Sequence, residues 1–251
     1  MNHNAVTACV LIIGNEILSG RTQDVNLNHI AQTLGHWGIQ VRESRVIPDV
    51  PSIIIETVNE TRARYDYVFT TGGIGPTHDD ITADCIAEAF GVDLVLHPEI
   101  ANRIEQRPAP PDVMASRLRM ARVPEGATLV DNPTGGPQGF RIENVFVMAG
   151  IPAVMQAMLS SLEGRLESGP VVHSHSVTAY LGESQIAGAL RDIQSRYPDV
   201  DLGSYPFFRA DRYGTSLVLR GTDEARLAAM MEEVKTAIIE AGETPQDVRT
   251  Q

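Results

Sequence analysis

Cysteine is scarce in this chain of 251 residues: only Cys9 and Cys85, each inside an apolar stretch. Two lone thiols in a chain of this size are expected to stay reduced rather than to pair as a disulfide. Positive charge is short as well, with 20 Lys and Arg against 32 Asp and Glu and a net charge of −12. An acidic chain repels polyanions and no Lys/Arg cluster stands out, so nucleic acid is not an expected partner. No apolar run approaches the roughly 20 residues a membrane helix needs, and no membrane association is expected. The N-terminus, MNHNAVTACVLII, lacks the basic stretch, long apolar run and small-residue cleavage site of a signal peptide. The cytoplasm is the expected location. Internal repeats and low-complexity tracts are also missing.

What remains has globular proportions, 43% hydrophobic and 21% charged, with enough apolar surface for a core. The length predicts one main domain and a smaller unit. Val6–Ile13 is a β-branched apolar run ending in Gly14, the pattern of a buried strand. Leu27, Ile30, Ala31 and Leu34 recur at helical spacing before Gly35 and Gly38. Strands follow at Ile39–Ile47, Tyr67–Thr71 and Val92–Leu96, with helices over Pro51–Tyr65 and Asp80–Phe90 between them. This alternation predicts a mostly parallel α/β sheet with helices on both faces.

Further on, EQRPAPPDVMASRLRMARVPEG reads as an extended Pro-rich segment and then a basic-apolar one. Ala127–Asp131 and Asn144–Ala149 read as strands around the turn-rich NPTGGPQGFRIE, and Pro152–Leu166 as a helix. ESGP (Glu167–Pro170) is the expected boundary, giving domains 1–168 and 169–251. The second reads as a small β-α-β-β-α domain of the α+β class with a frayed tail, Gly242–Gln251.

Ligands of open α/β sheets bind outside the C-terminal strand ends, where the winding reverses. If the first and third strands are neighbours, GNEILSGRTQD (Gly14–Asp24) and GGIGPTHDD (Gly72–Asp80) face one crevice. Gly72, Gly73 and Gly75 permit left-handed backbone and close approach, and the helix that follows adds free N–H groups for an anion. Two readings of Asp79 and Asp80 stay open. One of them caps the helix as an ordinary turn would require. Alternatively, both hold a divalent cation that reconciles them with a phosphate in the cradle. Glu16 is either a solvated loop carboxylate or part of that site. Asp49 is either the cap of the helix near Pro51 or a site residue on the same sheet edge.

Taken together, IIGNEILSG (Ile12–Gly20), TTGGIGPTHDD (Thr70–Asp80), NPTGGPQGF (Asn132–Phe140) and AGIP (Ala149–Pro152) resemble the molybdopterin-binding fold. That fold is shared by MogA/MoaB proteins and the N-terminal domain of competence/damage-inducible protein CinA. LGES (Leu181–Ser184) and GSYP (Gly203–Pro206) resemble the small domain that follows in CinA-type proteins. The resemblance implies a phosphate-bearing nucleotide or pterin as ligand and a homo-oligomer. It implies metal-dependent hydrolysis of a nucleotide pyrophosphate such as ADP-ribose or FAD. The alternatives are adenylyl transfer or metal insertion in molybdenum-cofactor biosynthesis, or ligand binding without catalysis. Asp80, Asp49 and Glu16 become the expected catalytic residues. Asp79, Asp80 and Glu16 are the expected ligands of magnesium, cobalt or manganese. Expected ligand contacts are Gly14, Asn15, Ser19 and Gly20 in the first loop, and Thr71, Gly72, Gly73, Gly75, Pro76 and Thr77 in the second. Gly150 and Pro152 complete them, and molybdopterin is a possible ligand. Where the family has PGxPxE this chain has AGIPAV, so Ala149 replaces a proline and Val154 a glutamate. Longer members continue into a deamidase domain, and deamidation is not implied here.

Three other features carry weaker signals. His173 and His175 in VHSHS alternate on a strand and share a face, as exposed histidines or as half a metal site. His78 lies inside the cradle loop. RLRMAR (Arg117–Arg122) is either a phosphate clamp or a solvated amphipathic stretch, and Trp37 is expected to pack rather than stack on a ligand.

Overall fold

The structure, a computed structural model, describes residues 5–134, 137–209 and 211–248. It divides into two compact units, 1–169 and 170–251.

The first unit begins β1 (Val6–Ile13), α1 (Asn15–Leu18), α2 (Asn26–His36), β2 (Ile39–Ile47), α3 (Pro51–Arg64), β3 (Tyr67–Thr71) and α4 (Thr82–Phe90). It continues β4 (Leu94–Leu96), α5 (Pro98–Glu105), α6 (Pro111–Leu118), β5 (Arg122–Pro124), β6 (Thr128–Val130), β7 (Gly139–Ile142), β8 (Val145–Met148) and α7 (Pro152–Ser160). The main sheet has the order β2-β1-β3-β8-β7-β6. Its first four strands are parallel, β7 runs antiparallel to β8, and the edge strand β6 runs antiparallel to β7. β4 and β5 form a separate antiparallel ribbon.

Alternation along β1 divides the core. Cys9, Leu11 and Ile13 pack into one cluster with Ile54, Val58 and Ile86. Ala8, Val10 and Ile12 pack into the other with Ile30, Leu34, Phe69 and Phe146. A strand buried on both faces has no polar side, which is why β1 reads as one unbroken apolar run. Phe69 and Phe146 stack with ring centroids 5.0 Å apart across β3 and β8, an arrangement that favours this register.

Several expectations need correction. The helix expected from Asp80 starts at Thr82, and the one expected to reach Leu166 stops at Ser160. The Pro-rich segment is not simply extended. It holds α6 and β5, and α5 ends where it begins; both helices have proline in their first turn, where the missing N–H costs nothing. The turn-rich middle contains β7, whose partners β6 and β8 lie on either side of it.

The second unit runs β9 (His173–Ala179), α8 (Glu183–Arg196), β10 (Asp201–Arg209), β11 (Arg212–Gly221), α9 (Glu224–Glu240) and β12 (Gln246–Val248). Its antiparallel sheet has the order β10-β11-β9-β12, and α8 and α9 share one core with it through Val177, Leu217, Leu219, Ile186 and Met230. The tail expected to fray supplies β12, paired with β9; residues 249–251 lie outside the described ones. Among the described residues no helix is long and apolar enough to cross a membrane.

Candidate functional site

β1 has β2 on one side and β3 on the other, so the winding reverses between β1 and β3. The C-terminal ends of these strands open the crevice that such sheets offer to ligands. Two loops border it.

The first loop, Gly14–Asp24, folds onto itself around α1. Ser19 N–H donates to the Asn15 carbonyl (2.9 Å), Gly20 N–H to Ile17 (3.0 Å) and Thr22 N–H to Glu16 (3.0 Å). The Ser19 hydroxyl donates to the Glu16 carbonyl at 3.2 Å, and the Asn15 N–H to Asp49 Oδ2 at 2.8 Å. Asp49 is therefore not the cap of α3, which has no side-chain cap bond; it holds the start of α1. The Glu16 carboxylate turns back over Gly14, where an added Cβ would stand 2.5 Å from Oε2.

The second loop leaves β3 through Gly72 (φ +109°) and Gly73 (φ +69°). A Cβ on Gly72 would lie 2.1 Å from the Ile13 carbonyl oxygen, and one on Gly73 2.1 Å from the Thr82 hydroxyl. Only glycine fits both positions. The Thr82 hydroxyl donates to the Gly72 carbonyl (3.0 Å) and its N–H to the Gly73 carbonyl (3.0 Å). These bonds tie the carbonyls of the turn to α4. Among the described residues, the N–H groups of Gly73, Ile74 and Gly75 have no protein acceptor. Unpaired donors in a glycine turn at a strand end are what an anion cradle requires.

Both aspartates after the glycines turn to Thr77. The Thr77 N–H donates to Asp80 Oδ2 at 2.8 Å, and the Thr77 hydroxyl lies 2.5 Å from Asp80 Oδ2 and 2.6 Å from Asp79 Oδ1. A hydroxyl has one proton, so it serves one carboxylate at a time and leaves the other facing an acceptor. Neither aspartate caps α4, whose N-cap is Ile81 with no side-chain bond. The hydroxyl of Thr77, and then its own backbone N–H, hold the Asp79 carboxyl below the usual carboxylate range. His78 is almost fully exposed, 4.0 Å from Asp79.

Behind the loops sits Asn26, a residue the sequence reading missed. It is 5% exposed, and its amide donates to Thr71 Oγ1 (2.9 Å) and to the Gly150 carbonyl (2.8 Å). The Thr71 hydroxyl in turn donates to Ala149 at 2.9 Å. Asn26 thus links the start of α2 to the ends of β3 and β8. Its own Oδ1 is buried without a donor. The signal was available: Asn26, Ile30 and Leu34 are the buried positions of α2, so one polar residue occupies an apolar helix face. Gly150 stacks on Gly72, with an added Cβ 3.3 Å from the Gly72 Cα. Pro152 opens α7, and Pro76 is exposed in the cradle loop. Val154 packs against the core, so the first turn of α7 brings no carboxylate.

The stretch Arg117–Arg122 is half-buried rather than solvated. Arg119 donates to the Asp80 carbonyl (3.4 Å) and Arg122 to Asp84 (3.0 Å). In NPTGGPQGF, the Asn132 amide donates to the Pro137 carbonyl at 2.7 Å; Gly135 and Gly136 lie outside the described residues.

The carboxylates expected to hold a metal are not gathered as a trio. Among the described residues no group of three or more His, Cys, Asp or Glu is placed to hold a metal ion. Asp79 and Asp80 converge on Thr77 while Glu16 turns to Gly14. In the second unit His173 and His175 do share a face, and both meet Glu224, at 3.0 and 2.9 Å. Burial pushes the Cys9 thiol up to about 12 and Cys85 to about 11, so neither supplies a thiolate near neutral pH.

A reversed-winding α/β sheet with a glycine cradle at its switch point defines a ligand-binding domain. Residues 9–167 match the protein-family model described as a probable molybdopterin binding domain. Residues 171–247 match that of the FAD synthase middle domain. A protein of Archaeoglobus fulgidus is 36% identical over 197 residues, covering 78% of this chain and 84% of that protein. A CinA-like protein of Citrifermentans bemidjiense is 37% identical over 171 residues, covering 64% of this chain and 41% of that protein. The crystal structure of the protein CinA from Thermoplasma acidophilum superposes with a TM-score of 0.60 at 32% identity, covering 64% of this chain and 98% of that one. The chain belongs to the CinA-type molybdopterin-binding domain family.

Proposed function

We propose that this chain binds a phosphate-bearing nucleotide or pterin at the β1/β3 crevice and hydrolyses the pyrophosphate linkage of a dinucleotide-like ligand. The observation that carries this reading is the pairing of unfilled cradle donors with two carboxylates crowded on one hydroxyl. The N–H groups of Gly73, Ile74 and Gly75 would orient the phosphate oxygens. Asp79 and Asp80 would hold a divalent ion between themselves and the phosphates, a donor set of hard oxygens with one or two carboxylates that suits magnesium. Such an ion, when bound, supplies Lewis-acid polarisation of a phosphoryl oxygen. Glu16 borders the same crevice and would orient the attacking water, and Asp49 would keep α1 in place beneath it. The match of the second unit to the FAD synthase middle domain favours a flavin dinucleotide as ligand. The family match of the first unit favours a pterin, and with it adenylyl transfer as the second reading.

The purified chain is offered ADP-ribose, FAD, or molybdopterin with ATP, each with magnesium, cobalt or manganese. Metal-dependent release of AMP from ADP-ribose or FAD is the expected result, and Asp80→Asn lowers it on the order of 10²-fold. Transfer of AMP to the pterin instead replaces the first reading with the second. Tight binding without turnover under any metal removes both and leaves a binding module.

A further inference from the structure

A cleft of about 580 Å³ lies against α5 and α6, its lining including Arg103, Arg107, Arg117, Ile104, Met120 and Gln138. Three guanidinium groups line it and no carboxylate does, in a chain whose net charge is −12. Arg103 is paired with Glu99 at 2.5 Å. Arg117 of α6 donates to the carbonyl of Arg107, just past the end of α5, at 3.2 Å. The Arg107 guanidinium has no partner among the described residues. The size lies within the range of ligand pockets, and the apolar share from Ile104 and Met120 suits the body of an organic ligand.

The cleft and the cradle are separated by a shared wall. A crevice of only about 10 Å³ lies beside the cleft, bounded by Met120 and Gln138 on the cleft side, by Gly73, Gly75 and Asp80 on the cradle side, and by Asp84, Arg119 and Arg122. The Nε–H groups of Arg119 and Arg122 are buried there without an acceptor. Their other ends are occupied, Arg119 by the Asp80 carbonyl and Arg122 by the Asp84 carboxylate, so each guanidinium keeps one free donor for an acceptor oxygen.

We propose that the arginine cleft is a second anion site, which takes a phosphate group at the far end of the ligand held by the cradle. The ligand class is then an organic phosphate with two separated anionic groups, its body lying over Ile104 and Met120. That one ligand serves both sites rests on the pyrophosphate reading above; the anion site in the cleft stands on its own residues.

The test is calorimetric titration of the full chain with inorganic pyrophosphate. Wild type is expected to bind two equivalents. Arg107→Gln with Arg117→Gln removes one of them, and Gly75→Ala, which drives a Cβ to 2.5 Å from Asp80 Oδ2, removes the other. Arg107→Gln alone, at an unpartnered side chain, keeps the fold and weakens the cleft equivalent about tenfold. Two unchanged equivalents in the arginine variants overturn the cleft. An unchanged Gly75→Ala beside a loss in the arginine variants keeps the cleft and overturns the cradle reading instead. In a second titration, ADP-ribose 2′-phosphate binds wild type about tenfold more tightly than ADP-ribose, and that advantage vanishes in Arg107→Gln. Equal binding of the two probes by wild type removes the shared ligand.

Discussion

Two loops meet at the crevice between β1 and β3, both rich in glycine and carboxylate, and they dispose of their backbone donors in opposite ways. Gly14–Asp24 closes on itself, so that Ser19, Gly20 and Thr22 N–H groups are all taken within the loop and the Asn15 N–H is taken by Asp49. Gly72–Ile81 ties down its carbonyls through Thr82 and leaves the Gly73, Ile74 and Gly75 N–H groups unpaired. The first loop is a support and the second a receptor. The same residue types produce either outcome, depending on which end of each peptide group finds an internal partner.

Substitutions at matched glycines can break this comparison. Gly73 and Gly20 share nearly the same backbone, φ +69° and +72°, but a Cβ on Gly73 meets Thr82 Oγ1 at 2.1 Å while one on Gly20 meets nothing within 4 Å. Gly73→Ala should have the largest effect, roughly 2–4 kcal/mol of stability from strain plus collision, with loss of phosphate binding. Thermal melts and the pyrophosphate titration check both parts.

Asn26→Leu comes next. It removes the donors to Thr71 and Gly150 while keeping the volume, and should cost roughly 1–3 kcal/mol in a denaturant titration. The cost belongs at the low end of that range, because the unpaired Oδ1 disappears with the amide. Gly20→Ala should be the mildest, about 1 kcal/mol of left-handed strain, with pyrophosphate affinity unchanged. Equal loss of binding in Gly20→Ala and Gly73→Ala would show that both loops receive the ligand and end the distinction.

Much of this site could be read along the chain. The strand-helix alternation up to Phe90 and the glycine turn follow from periodicity and local chemistry, whereas the adjacency of the first and third strands comes from the sheet order. The fates of the aspartates do not. Asp79, Asp80 and Asp49 each precede a helix, and a short acidic side chain there is equally suited to capping, a turn or a neighbouring loop. Thr82 decides the matter for Asp80 by pinning Gly72 and Gly73, which delays the helix until Thr82. The arginine cleft was hidden for a different reason. Arg103 and Arg107 are separated from Arg117, Arg119 and Arg122 by a proline-rich stretch, and no cluster appears until α5 and α6 fold against each other. Likewise β7 is four residues inside a glycine- and proline-rich segment, stabilised by partners on both sides rather than by its own propensity.

By itself, the sequence determined which segments are buried and where the chain must turn through glycine. Those properties depend on the periodicity of side chains and the steric limits of the backbone, both local. Tertiary structure alone decided which donors stay unpaired, which aspartates meet at Thr77, and that scattered arginines line one cleft beside them. Each of those outcomes is a competition among hydrogen bonds and charges that only a fixed three-dimensional neighbourhood resolves.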